Sequence, residues 1–126
     1  MSYDNPIHTS HTVVLTANQV DTSRKFIGPS GHRGRLVEVS LVPTATTVGT
    51  LTLQVGSGSN ADEYGTLTVA NGVTANTVKR ASANGSIFTT EASVIPADSE
   101  VVCDIATAAD TDDFAGELTY TFAWFK

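Results

Sequence analysis

The strongest constraint on this chain is a period of two. In ELTYTFAWF (117–125), Leu118, Tyr120, Phe122 and Trp124 fall on one side, and Thr119, Thr121 and Ala123 on the other. The same alternation recurs in RLVEVSLVP (35–43), TLTLQVG (50–56) and EVVCDI (100–105). Successive side chains of a strand point to opposite faces, so each run reads as a half-buried β-strand. Burying a large apolar side chain contributes about 1.5–3 kcal/mol. The aromatic run is therefore expected deep in a sheet, as the closing strand, with Phe125 on the face opposite Trp124.

Composition points the same way. Nineteen threonines, with many Val, Ala and Gly, stand against only seven lysines and arginines. β-Branched side chains suit a pleated surface, and strong helix formers are scarce. At 126 residues the chain has the size of one domain, enough for a core without disulfides or metal. Its single cysteine, Cys103, alternates with Val101 and Ile105, which excludes a disulfide framework and places the thiol in the core. A net charge of −6 argues against general nucleic-acid binding. There is no charged-then-apolar leader, and no apolar run approaches the roughly 18 residues of a membrane span. Neither nucleic acid nor membrane is an expected partner.

Residues 1–11, MSYDNPIHTSH, are polar, carry a proline and show no period; an extended N-terminal arm is expected there. Residues 12–126 read as a single β-sandwich domain. Strands are expected at 12–17 with Val13 and Leu15 on one face, at 24–28, and at 35–43 with Val37, Val39 and Leu41 inward. Others are expected at 50–56, at 65–70 with Leu67 and Val69, on both sides of the bend in SVIPADSE, and at 118–125. Gly, Pro, Ser and Asp mark 28–34, 56–65 and 106–117 as loops. Asn71-Gly72 and Asn84-Gly85 suit hairpin turns, whereas 73–83 is ambiguous between a helical turn and a strand. About eight short strands parted by turn-rich loops indicate an all-β, antiparallel sandwich or barrel.

Catalytic signatures are incomplete. GSGS (56–59) lacks the last glycine of a nucleophile elbow, and GPSGHRG (28–34) lacks the lysine of a phosphate loop. HTSH brings His8 and His11 close in sequence, near Asp4, but an arm offers neither a third ligand nor fixed geometry. Cys103 in an alternating strand reads as inert core. DTDD (110–113), with Asp104 and Glu117, could collect a hard cation, yet its spacing fits neither a twelve-residue calcium loop nor a nonapeptide repeat. No enzyme activity, cofactor or resident metal is expected.

Charge is lopsided. Residues 1–35 hold Arg24, Lys25, Arg33 and Arg35 against Asp4 and Asp21, a sum of +2. Residues 36–126 hold three cations against eleven carboxylates, a sum of −8. Such asymmetry suits a docking surface for an acidic partner; strand-edge cations that discourage edge pairing would produce it equally well.

Three stretches, GHRGRLVEVSLV (31–42), TLTLQVGSGSNADEYGTL (50–67) and VIPADSEVVCDIATAADTDDFAGELTYTFAWF (94–125), carry a resemblance. A glycine-and-basic loop opens a Val-rich strand. A strand ending in Gln54-Val55-Gly56 leads to an acidic loop with Tyr64. An IPAD bend precedes a strand, a loose loop, and a final strand with Trp124. Together these resemble the small decoration, or cement, proteins of tailed bacteriophages; residues 1–22 lie outside the likeness.

The resemblance implies a jelly-roll sandwich, often a homotrimer, on the outer surface of the capsid, bridging neighbouring copies of the major capsid protein. It brings no catalytic or cofactor residues. The expectation is thus a non-enzymatic virion protein whose partner contacts draw on His8, His11, Arg24, Lys25, Arg33, Arg35 and Phe125, with residues 1–12 ordering on the capsid or a neighbouring subunit. The alternative is a fibre, spike or tail module that grips host-surface glycans through aromatics such as Tyr3, Tyr64 and Phe114.

Overall fold

A computed structural model describes residues 7–17, 22–82, 94–107 and 111–126. They form nine strands: β1 (Ile7–Ala17), β2 (Thr22–Ile27), β3 (Arg33–Pro43), β4 (Leu51–Gly56), β5 (Gly65–Val69), β6 (Lys79–Ser82), β7 (Val94–Ile95), β8 (Glu100–Thr107) and β9 (Asp113–Phe125). No helix occurs among the described residues. One antiparallel sheet runs β1-β9-β3-β6, with β7 also on β3; the other runs β2-β8-β4-β5.

β6 and β7 lie along the same side of β3, β6 against Glu38–Leu41 and β7 against Gly34–Arg35, so they share one strand position. With those two counted together, first pairs with last, second with seventh, third with sixth, and fourth with fifth. That nested antiparallel wrap is a jelly roll. The expected all-β, jelly-roll sandwich is what the chain forms.

The core lies between the sheets. β9 contributes Phe114, Leu118, Tyr120, Phe122 and Trp124, faced by Val101, Cys103 and Ile105 of β8 and Leu51, Leu53 and Val55 of β4. All are buried, as the period-two pattern requires. A Cβ on Gly34 or Gly28 would overlap the Trp124 indole, so those glycines make room for the largest core residue. At the far end, Thr47 is buried and satisfied: its hydroxyl donates to Ala70 O at 3.0 Å and accepts from Val73 N at 2.9 Å. Gly49, at φ +90°, sits where a side chain would collide with the buried Asp112 carboxylate.

Four expectations change. The first strand begins at Ile7, so residues 7–11 belong to β1 and pair with β9, from Ile7↔Trp124 to His11↔Tyr120. The alternation is hidden there because Thr9 and His11 serve as inward residues; Thr9 accepts the indole N–H and His11 stacks on Phe26. In β3 the inward residue is Leu36 and not Val37. Leu36 pairs with Phe122 and Glu38 with Thr121, leaving Val37 as the extra residue of a bulge.

Residues 113–117, expected as loop, are the start of β9, and β8 runs on to Thr107. Phe114 and Gly116 keep the inward phase there, but Ala115 and Gly116 dilute the signal. The ambiguous 73–83 region becomes a turn, with Thr77 N bonded to Thr74 O at 3.2 Å, followed by strand β6. Asn71-Gly72 makes its turn, with Gly72 at φ +84°. Asn84-Gly85 and the strand expected before Val94 lie outside the described residues.

Candidate functional site

Strand phase sorts the seven sequence-singled residues onto three surfaces. On the β1-β9-β3 sheet, inward Trp124 and Phe122 leave Ala123 and Phe125 outward; their partners His8 (on Ala123), Arg35 (on Ala123) and Arg33 (on Phe125) therefore also face out. His8, Arg33, Arg35 and Phe125 thus meet on the outer face of that sheet, at the end that carries Ile7 and Lys126. Arg24 lies opposite buried Cys103 and shares its inward phase, while Lys25 points outward and pairs with Glu100 at 3.7 Å. His11 also faces in. So Arg24 and His11 do not join the outer cluster, and Lys25 sits on the other sheet.

The outer cluster has its own geometry. Arg33 lays its guanidinium over the Phe125 ring, 5.3 Å from the centroid, within the range of a cation–π contact. Phe125 is half-buried under it, not freely solvated. Arg33 and Arg35 are exposed on that part of the face. Farther along the same sheet, Glu38 pairs with Arg80 at 3.8 Å and Glu117 stands exposed near the opposite end. Between them runs a small-hydroxyl strip in which Ser10 bonds Thr121 at 3.3 Å and Thr12 bonds Thr119 at 3.1 Å. The face is lined mostly by short side chains and carries Arg33 and Arg35 at one end and Glu117 near the other.

The groups considered for chemistry are placed differently. Cys103 is fully buried, and burial, with a smaller contribution from Asp104, pushes its thiol up to about 12. A thiol held protonated is a poor nucleophile. His11 is half-buried, and loss of hydration lowers its pKa. Asp104 accepts a hydrogen bond from Ser23, and Asp112 is buried. Among the described residues no three His, Cys, Asp or Glu side chains converge as metal ligands; Asp110 lies outside them.

Tyr64 and Phe114, the aromatics that a glycan platform would use, are both core residues, so that expectation is corrected for them. Tyr64 folds its ring inward from the acidic loop, and its hydroxyl pairs with Ser99. Tyr3 lies outside the described residues. Alternation alone could have placed Phe114 inside, since it keeps phase with Leu118; nothing local marks Tyr64.

No protein-family model matches the chain, and no curated protein matches it in sequence. Among solved structures, the coat protein of tobacco streak virus is similar, with a TM-score of 0.48 and 13% identity over 100% of this chain and 90% of that one.

Proposed function

We propose that this chain is a non-enzymatic virion protein that decorates and stabilises the outer surface of a tailed-phage head, bridging neighbouring major capsid proteins as a homotrimer. One observation carries the proposal. On a chain of net charge −6, the exposed cations Arg33 and Arg35 lie with Phe125 at one end of the outer face. A basic patch with an aromatic at its centre suits an acidic protein surface, where the ring supplies buried area and the cations supply orientation. The sequence likeness to phage decoration proteins supplies the kind of partner.

The mechanism is additive contact. A decoration protein strengthens a shell by burying area across subunit junctions, and a trimer engages several shell subunits at once. Linked sites gain avidity without new chemistry. The polar segment ahead of Ile7 would order on the capsid or a neighbouring subunit, since a short polar segment gains little by folding alone. The test is co-sedimentation of the purified protein with heads that lack it. Saturable binding at a fixed ratio to shell subunits is the expected result; a protein that stays in the supernatant at every concentration refutes the proposal.

A further inference from the structure

A strand at the edge of a sheet presents a row of backbone N–H and C=O groups that another strand can pair with. Among the described strands the edges are β2 and β5 in one sheet, and β1 and the shared β6/β7 position in the other. Three of these four are blunted by charge or by shortness, the usual protections against edge pairing. β2 has six residues and carries Arg24 and Lys25. β5 has five residues and follows Asp62 and Glu63 in the chain. β6 has four, with Lys79 and Arg80 among them, and β7 has two.

β1 has neither protection. It is 11 residues long, IHTSHTVVLTA, with no Lys, Arg, Asp, Glu or Pro. It keeps one register against β9 from Ile7↔Trp124 to Leu15↔Gly116, and its irregularity comes only after Leu15. No described strand pairs with its other edge. Its apolar side chains are also incompletely covered. Ile7, Thr9, His11 and Val13 lie opposite Trp124, Phe122, Tyr120 and Leu118 and share their phase. Those four β9 residues are at most 1% exposed, whereas Ile7 is 46% exposed and the other three β1 residues are half-buried. On the outward phase, Val14 is 69% exposed. A long, uncharged edge of this kind is a template for one more strand.

We propose that β1 pairs antiparallel with β1 of a second copy of this chain, joining the two β1-β9-β3 sheets into one continuous sheet. A two-fold axis through a residue of β1 sets inward side chains beside inward ones and outward beside outward, as a continuous sheet requires. Centred on His11, Ile7 meets Leu15, Thr9 meets Val13, Ser10 meets Thr12 and His8 meets Val14. These are apolar and hydroxyl pairs of the kind that stabilise neighbouring strands. His11, whose partial burial lowers its pKa, meets its counterpart uncharged at pH 7. Copies of a chain with net charge −6 repel one another over much of their surface, and β1 brings no carboxylate of its own to the contact. The pairing is two-fold, so it is separate from any trimer contact and independent of capsid decoration; trimers built through another surface would be linked in pairs.

The test is the mass of the full chain in solution, by light scattering on a sizing column. An even multiple of 13.2 kDa is expected. Ser10 and Thr12 are exposed, so Ser10→Lys with Thr12→Lys sets lysines opposite one another across the axis without entering the core. That double variant should halve the mass, and mixing it with the Ser10→Glu, Thr12→Glu chain should restore it. Thr121→Lys, one strand further in on the same face, should leave the mass unchanged. A wild-type chain that is monomeric or only an odd multiple overturns the proposal, and the free edge would then be left to a strand of another protein. An unchanged mass in the double-lysine chain overturns it as well. So does halving by Thr121→Lys, which would mean that the sheets stack face to face.

Discussion

The Trp124 indole donates its N–H to the Thr9 hydroxyl at 2.7 Å, fastening the last strand of the jelly roll to the first. Trp124 is 1% exposed, so its N–H has no water to fall back on. Thr9→Val keeps the shape and removes the acceptor. The expected loss is about 1–3 kcal/mol, the cost of a stranded buried donor. Urea unfolding followed by the fluorescence of Trp124, the single tryptophan, measures it directly. A loss below about 0.5 kcal/mol would mean the bond contributes no more than an ordinary surface contact.

The bulge in β3 separates two neighbouring residues that look alike in sequence. Leu36 is 3% exposed and pairs with Phe122, whereas Val37 is the half-buried extra residue. Leu36→Ala should therefore cost about 2–5 kcal/mol, as in other cores. Val37→Ala should cost clearly less. Equal costs, or a larger one at Val37, would place the bulge elsewhere.

Burial raises the Cys103 thiol from 9.0 to about 12, with Asp104 adding to the effect. Above about pH 9 the unfolded chain releases a proton that the folded chain keeps. Stability from this group is thus complete below the unfolded pKa and is lost as pH rises toward the folded value. Denaturant midpoints should fall steadily above pH 9, and less steeply in Cys103→Ala. In the native state the thiol should resist Ellman's reagent at pH 8 and react once urea unfolds the chain. Rapid native reaction would contradict the burial.

Arg33 and Arg35 share the outer face with Phe125. If that face docks on an acidic shell, head binding should weaken with rising salt, because exposed charges are screened within about 10 Å at 0.1 M. The double variant Arg33→Ala with Arg35→Ala should bind more weakly and lose most of the salt dependence while keeping its melting temperature. Binding that ignores both salt and the double change would assign attachment to another face.

The architecture was legible wherever both partners of the alternation were unambiguous. Leu51, Leu53 and Val55, or Leu118 through Trp124, leave no doubt about which face is buried, because a slip of one residue would expose all of them. Legibility failed where an inward position is polar. Ile7 to His11 reads as an arm since Thr9 and His11 look like solvent residues until Trp124 and Phe26 supply their partners. It also failed at the bulge, where Leu36 and Val37 are equally apolar and the partner strand decides. The outer cluster was readable in part: Phe125 follows from phase with Trp124, but its meeting with Arg33 depends on β3 lying beside β9.

Copy number in purified virions, counted against the major capsid protein, is the most direct measurement of whether this chain is a capsid decoration. A count equal to the shell protein, or a fixed simple fraction of it, is the predicted result. A handful of copies per particle, or none, would contradict it.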